Sequence, residues 1–120
     1  FSDTMVLNRR LDGNERERYR KLVAQLGLGR IEEAPLGRLS SGEKKSVMIA
    51  RALVKNPPVL ILDEPFQDLD DNAFEFLHSF VAGYLDGNRT VIQIAHHERE
   101  ILPGINHTAR IENEALEISY

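Results

Sequence analysis

Val59-Leu60-Ile61-Leu62-Asp63-Glu64-Pro65 decides the fold, because four apolar residues run straight into two adjacent carboxylates. The run has strand length and no apolar–polar alternation, which predicts a strand buried on both faces of a parallel sheet. Open α/β sheets place ligands beyond the carboxyl ends of such strands, so Asp63 and Glu64 stand where a bound group would sit. Successive strand residues point to opposite faces, and the two carboxylates can therefore take different tasks. Asp63 suits Mg²⁺, a hard cation that takes oxygen ligands and often keeps its water shell. Glu64 suits the orienting or deprotonation of a water for in-line attack on phosphorus. A solvated strand end would carry the same pair, so these residues need support from the rest of the chain.

Upstream, Asn56-Pro57-Pro58 stops a helix that starts at Ser40-Ser41-Gly42-Glu43 and runs to about Lys55. Ser40 and Glu43 have capping-box spacing, each able to satisfy an orphan amide at the helix start. Val47, Ile49, Ala50, Leu53 and Val54 give this helix a broad apolar face. Further back, Tyr19, Leu22, Val23 and Leu26 recur at helical spacing in a charged background, predicting a surface helix over 14–26. Asn14 is its expected N-cap and Gly27 its left-handed stop. Leu28 to Leu39, with Gly29, Pro35 and Gly37, reads as a connector, and residues 1–13 show no clear period.

Downstream of Asp70-Asp71 a third helix is expected to turn Ala73, Phe74, Leu77, Phe80, Val81 and Tyr84 inward. A turn at 85–88 leads to a second buried strand, Thr90 to Ala95, completing a strand–helix–strand unit over 59–95. His97 to Leu102 forms at most one helical turn before Pro103-Gly104. Ala109 to Ile111 and Ala115 to Ile118 read as two short strands joined around Asn113-Glu114.

Composition narrows the function classes. With 120 residues, 42% hydrophobic and 28% charged, the chain can build a core and is not compositionally disordered. A net charge of −4 gives no electrostatic reason to expect nucleic acid or an anionic membrane as partner. Zero cysteines exclude disulfides, thiolate metal sites and cysteine nucleophiles, and fit a reducing compartment. No apolar run approaches the ~20 residues of a membrane-spanning helix. The opening Phe1-Ser2-Asp3 has no initiating methionine and no secretion signal, as expected of a piece of a longer protein.

The start of the second helix sharpens the chemistry. Free amides and the positive end of the helix dipole bind phosphate, a Ser hydroxyl adds a donor, and Gly42 allows close backbone approach. Leu39-Ser40-Ser41-Gly42-Glu43 resembles the Leu-Ser-Gly-Gly-Gln signature of the ATP-binding cassette (ABC) ATPases. Ala50-Arg51-Ala52-Leu53-Val54 and Asn56-Pro57 are similar to that family's link from signature to Walker B strand. Asp63-Glu64 then resembles the Walker B aspartate and catalytic glutamate. Pro65 to Asp70 resembles the D-loop, and His96 the switch histidine that contacts the γ-phosphate. Four motifs stand in family order across residues 36–97.

The resemblance implies an α/β fold, the C-terminal half of an ABC-type P-loop NTPase domain. It would comprise part of a helical subdomain with the signature (1–56) and a βαβ core with terminal short strands (57–120). It implies ATP and Mg²⁺ as cofactors, Asp63 on the metal, and Glu64 and His96 as catalytic residues. Ser40, Ser41, Gly42 and Glu43 would meet the ATP of a partner, and Asp70 would belong to the D-loop at that interface. Implied partners are a second ABC domain in a head-to-tail dimer and a transmembrane permease subunit, with the chain cytoplasmic at the inner face of the membrane. His97 is the competing position for the switch histidine if the strand boundary slips by one. The His96-His97 doublet with Glu98 is not read as a metal site, because adjacent histidines project differently and no helical His-x-x-x-His pair occurs. His78 and His107 read as packing or surface residues.

No Gly-x-x-x-x-Gly-Lys-Ser/Thr loop occurs in the 120 residues, so the chain has no loop of its own to cradle the β- and γ-phosphates. A missing N-terminal half carrying that Walker A loop is the expected third partner, and the chain alone is expected to be inactive. Four residues at three places depart from the family pattern: Ser41 for glycine, Glu43 for glutamine, and Gln67-Asp68 for small D-loop residues. Transporter-type proteins and soluble tandem ABC proteins, such as those associated with molybdenum uptake, fit the motifs. A DNA-repair ATPase shares signature and Walker B, and a non-enzymatic docking module would explain the absent Walker A loop.

Overall fold

The computed structural model describes residues 11–29 and 38–119. Its elements in order are α1 (Gly13–Gln25), α2 (Ser41–Val54), β1 (Val59–Asp63), α3 (Asp71–Tyr84), β2 (Thr90–Ile94), a 3₁₀ turn at Glu98–Glu100, β3 (Thr108–Glu112) and β4 (Ala115–Ser119). The connector residues 30–37, including Pro35 and Gly37, and residues 1–10 lie outside the described residues.

Each helix begins where a side chain satisfies its orphan amides. Asp12, not Asn14, caps α1: its Oδ1 accepts from the Glu15 amide at 2.8 Å, while Asn14 already lies inside the first turn. Gly27 ends α1 at φ +68, and the Leu28 amide donates back to the Val23 carbonyl at 2.9 Å, a Schellman-type closure. Both bonds of the capping box at α2 are present, Glu43 N to Ser40 Oγ at 3.1 Å and Ser40 N to Glu43 Oε1 at 3.0 Å. α3 is capped by Asp70, whose Oδ1 accepts from Ala73 N at 2.8 Å.

β1 and β2 pair in parallel across α3, with Leu62 opposite Gln93 and Asp63 opposite Ile94. Leu60 and Leu62 join Leu53, Val54, Phe74, Leu77 and Val81 in one core between sheet and helices. Leu22, Leu26 and Leu28 bring α1 into the same cluster. Arg18 Nη1 donates to the Val54 carbonyl at 2.7 Å, and Glu15 pairs with Lys55 at 3.0 Å, fastening α1 to the end of α2. On α3, Phe74, Leu77 and Val81 are buried, whereas Ala73, Phe80 and Tyr84 are half-buried, the last two with their rings stacked.

Burial of β1 on both faces does not hold. Leu60 and Leu62 are 2% and 5% exposed, but Val59 and Ile61 are 50% and 62% exposed. Ile92 and Ile94 of β2 stand equally open. The helical core covers one face, and among the described residues nothing packs on the other. The unbroken apolar run reports a strand built for cover on two sides. β3 and β4 form an antiparallel hairpin through Asn113 and Glu114, whose positive φ values of 49 and 65 suit a two-residue primed turn. Ala109 opposes Ile118 and Ile111 opposes Leu116, giving the hairpin one apolar face that is also exposed.

Candidate nucleotide site

The acidic loop grows directly out of the sheet. The Glu64 amide donates to the Ile94 carbonyl at 2.9 Å, extending the β1–β2 pairing past Asp63. Glu64 then turns at φ +50, in the left-handed region that a residue with a Cβ enters at a cost of about 1–3 kcal/mol. Lys45, one turn into α2, donates from Nζ to the Glu64 carbonyl at 2.8 Å and holds that turn. The Glu64 carboxylate meets His96, with Oε1 against Nε2. A strained backbone, a lysine clamp and a histidine partner thus fix this carboxylate.

Asp63 differs from its neighbour in every respect. It closes β1 in regular strand geometry, is exposed, and its carboxylate has no hydrogen bond or ion pair among the described residues. The adjacent pair separates into one open carboxylate and one held by a histidine. No cluster of three or more acidic, His or Cys side chains able to hold a metal occurs among the described residues. Asp63 thus offers a single oxygen donor group, which fits Mg²⁺ bound mainly through phosphate and water.

The signature segment forms the start of α2. Ser41 and Gly42 occupy the first helical positions, where amides have no intrahelical acceptor. Glu43 directs a carboxylate oxygen to the Ser40 amide, so its charge is engaged in the cap. Gly42 has a role that sequence reading missed. A Cβ there would lie 3.2 Å from Ala73 Cβ, so the glycine lets the starts of α2 and α3 approach closely. Asp70, expected in the D-loop, spends its side chain on capping α3 beside this contact.

The structure therefore brings Glu64 and His96 together, leaves Asp63 open beside them, and sets Ser40–Glu43 and Asp70 at two neighbouring helix starts. His97 does not reach Glu64; it precedes the 3₁₀ turn and its carbonyl accepts from the Glu100 amide at 3.0 Å. His78 is half-buried, stacked on Phe74 with ring centroids 5.0 Å apart, and exposed His107 contacts the Asn106 side chain. Lys45 and Gln93 are functional candidates that the sequence reading did not single out. Gln93 carried a signal, a glutamine in an otherwise apolar strand stretch; Lys45 carried none. Among the described residues, no helix is long and apolar enough to cross a membrane.

A family model described as ABC transporter matches residues 1–67. An uncharacterized ABC transporter ATP-binding protein of Schizosaccharomyces pombe is 31% identical over 97 residues, 81% of this chain and 20% of that protein. The high-affinity zinc uptake system ATP-binding protein of Bacillus subtilis is 30% identical over 108 residues, 87% of this chain and 46% of that protein. The solved dimeric structure of a bacterial ABC transporter cassette matches with a TM-score of 0.61 at 28% identity, covering 75% of this chain and 40% of that one. The chain spans less than half the length of each.

Proposed function

The chain belongs to the ABC transporter family and has the α/β fold of its ATP-binding cassettes, and from that premise we propose that it forms the hydrolytic edge of an ATPase. The observation that carries this reading is the Glu64–His96 contact at the carboxyl ends of paired strands. Residues up to about 56 supply the signature helix, and the remainder supplies the acidic pair and the switch histidine.

In this reading Glu64 accepts a proton from the attacking water as its oxygen approaches the γ-phosphorus and the bond to the ADP oxygen breaks. His96 keeps the Glu64 carboxylate in place and presents a ring nitrogen toward the phosphate. Asp63 would hold Mg²⁺, which would supply screening of the phosphate charge when nucleotide is bound. Ser40 and the amides of Ser41 and Gly42 face the nucleotide of a second, head-to-tail cassette. Engagement of Glu43 with the Ser40 amide limits the repulsion its charge would otherwise exert on ATP.

A half carrying the Walker A loop is the expected companion. The open face of Val59, Ile61, Ile92 and Ile94 supports this, as does the adjoining apolar groove lined in part by Ala109 and Ile111. The complete protein would drive solute transport with a membrane permease, from the cytoplasmic side. Likeness to molybdenum-associated tandem proteins rests on the His96-His97 doublet and the acidic segment after it, and no cargo is assigned.

Glu64→Gln in the complete cassette tests the catalytic role. Turnover is expected to fall by about 10²–10⁴-fold, with ATP-dependent pairing retained in light scattering. Near-normal hydrolysis by that variant would exclude Glu64 as the base.

A further inference from the structure

The segment that presents His96 is held from a place that the acidic motif does not include. The His96 side chain is 65% exposed, and its hydrogen-bonding partner is Glu64, so burial does not set the position of the ring. Its backbone must do so. On one side that backbone is fixed by the sheet, where Ile94 accepts from Glu64 N. On the other side it is fixed at residues 100–102 by a single side chain from β2. Gln93 Nε2 donates to the Glu100 carbonyl at 2.7 Å, and Gln93 Oε1 accepts from the Leu102 amide at 2.9 Å.

Gln93 stands opposite Leu62 and alternates with exposed Ile92 and Ile94, so it lies on the core-facing side of the sheet. A glutamine on such a face is tolerated only when both ends of its amide are satisfied, and here each end bonds one backbone group of the returning chain. Residues 95–99 are thereby closed into a loop anchored at both ends by β2. α3 grips the same loop: the Arg99 guanidinium lies 4.4 Å from the Phe74 ring centroid and 4.0 Å from Asp71. His78 Nε2 sits 3.4 Å from the Ile101 carbonyl.

We propose that Gln93 is a positioning residue for His96, its amide closing the loop that carries the histidine to Glu64. This inference rests on the reading of Glu64 and His96 as the hydrolytic pair. It extends that reading to a residue with no reach to the reacting atoms. The Arg99–Phe74 contact is a second hold on the same loop, which also links it to the helix that Asp70 caps.

Gln93→Leu places an apolar side chain of similar size on the core face and removes both bonds. Gln93→Glu keeps the acceptor for Leu102 and removes the donor to Glu100. In the chain itself, amide hydrogen exchange should rise at least about tenfold at Leu102 in Gln93→Leu, with Leu60 and Leu62 of β1 unchanged. In the complete cassette, ATP turnover should fall by about ten- to hundredfold at an ATP KM within twofold of the parent. Gln93→Glu should fall between the two. Added to His96→Ala, Gln93→Leu should cost nothing further, because the glutamine acts through that histidine. If His96→Ala is impaired while Gln93→Leu turns over normally, or if the two losses multiply, the positioning role is overturned and the hydrolytic pair stands. If His96→Ala itself turns over normally, the reading beneath both is overturned. Unchanged exchange at Leu102 contradicts the closure of the loop independently of any activity.

Discussion

The two faces of the β1–β2 sheet carry similar side chains and meet opposite fates. On one, Leu60 and Leu62 are 2% and 5% exposed against α2 and α3; on the other, Val59 and Ile61 are 50% and 62% exposed. Fully burying one such side chain contributes about 1.5–3 kcal/mol, so the open face holds back a stabilisation that a covering element would release. The candidate site residues follow the same division. Glu64, His96, Lys45 and Gln93 are fixed by contacts on or beside the covered side, whereas Asp63 ends the strand without a partner among the described residues. Covered parts of this molecule find their partners within the described residues, whereas the open face and the open carboxylate are left to solvent.

Substitutions on the two faces measure the asymmetry directly. Leu62→Ala should destabilise the chain by about 2–5 kcal/mol in urea unfolding, as removal of a buried leucine does. Ile61→Ala, its neighbour on the same strand, should stay within about 0.5 kcal/mol in the chain and become costly only when the complementary half is bound. A large loss for Ile61→Ala in the chain alone would break the comparison. Next in size, Ser40→Ala removes the hydroxyl that caps α2 and should cost about 1 kcal/mol by the same measurement. Its loss would show how far the covered side depends on a fixed start for α2.

The smallest effect concerns acid stability. The Glu15 backbone amide donating to Asp12 holds that carboxyl below its ordinary 3.8, against an opposing effect of desolvation. A carboxylate depressed in the folded state stabilises the fold above its unfolded pKa, and that contribution disappears as pH falls through the lower, folded value. Acid titration of Asp12→Asn should therefore show a shallower loss of α1 helicity below about pH 4 than the parent.

Much of this was legible along the chain, for identifiable reasons. The capping box at Ser40 and Glu43 and the glycine stop at Gly27 are local devices, with partners within a few residues, and both form as read. The N-cap of α1 was misplaced from Asp12 to Asn14 because two capping residues stand two positions apart, and spacing alone does not choose between them. Motif order put Glu64 and His96 each at a strand end, but the contact between their side chains was not legible there. Lys45, Gln93 and the Gly42–Ala73 contact were not legible because their partners lie on other elements, and only the packing of those elements selects them. Exposure of Val59 and Ile61 escaped prediction for the opposite reason. The apolar run encodes cover on both faces, and the described residues supply one.

Calorimetric titration of the chain with Mg-ATP, alone and together with a half-domain that carries a Walker A loop, tests whether the chain holds only part of a nucleotide site. No tight binding is expected of the chain alone, and tight binding once the open face of β1–β2 is covered. Tight Mg-ATP binding by the chain alone would contradict this.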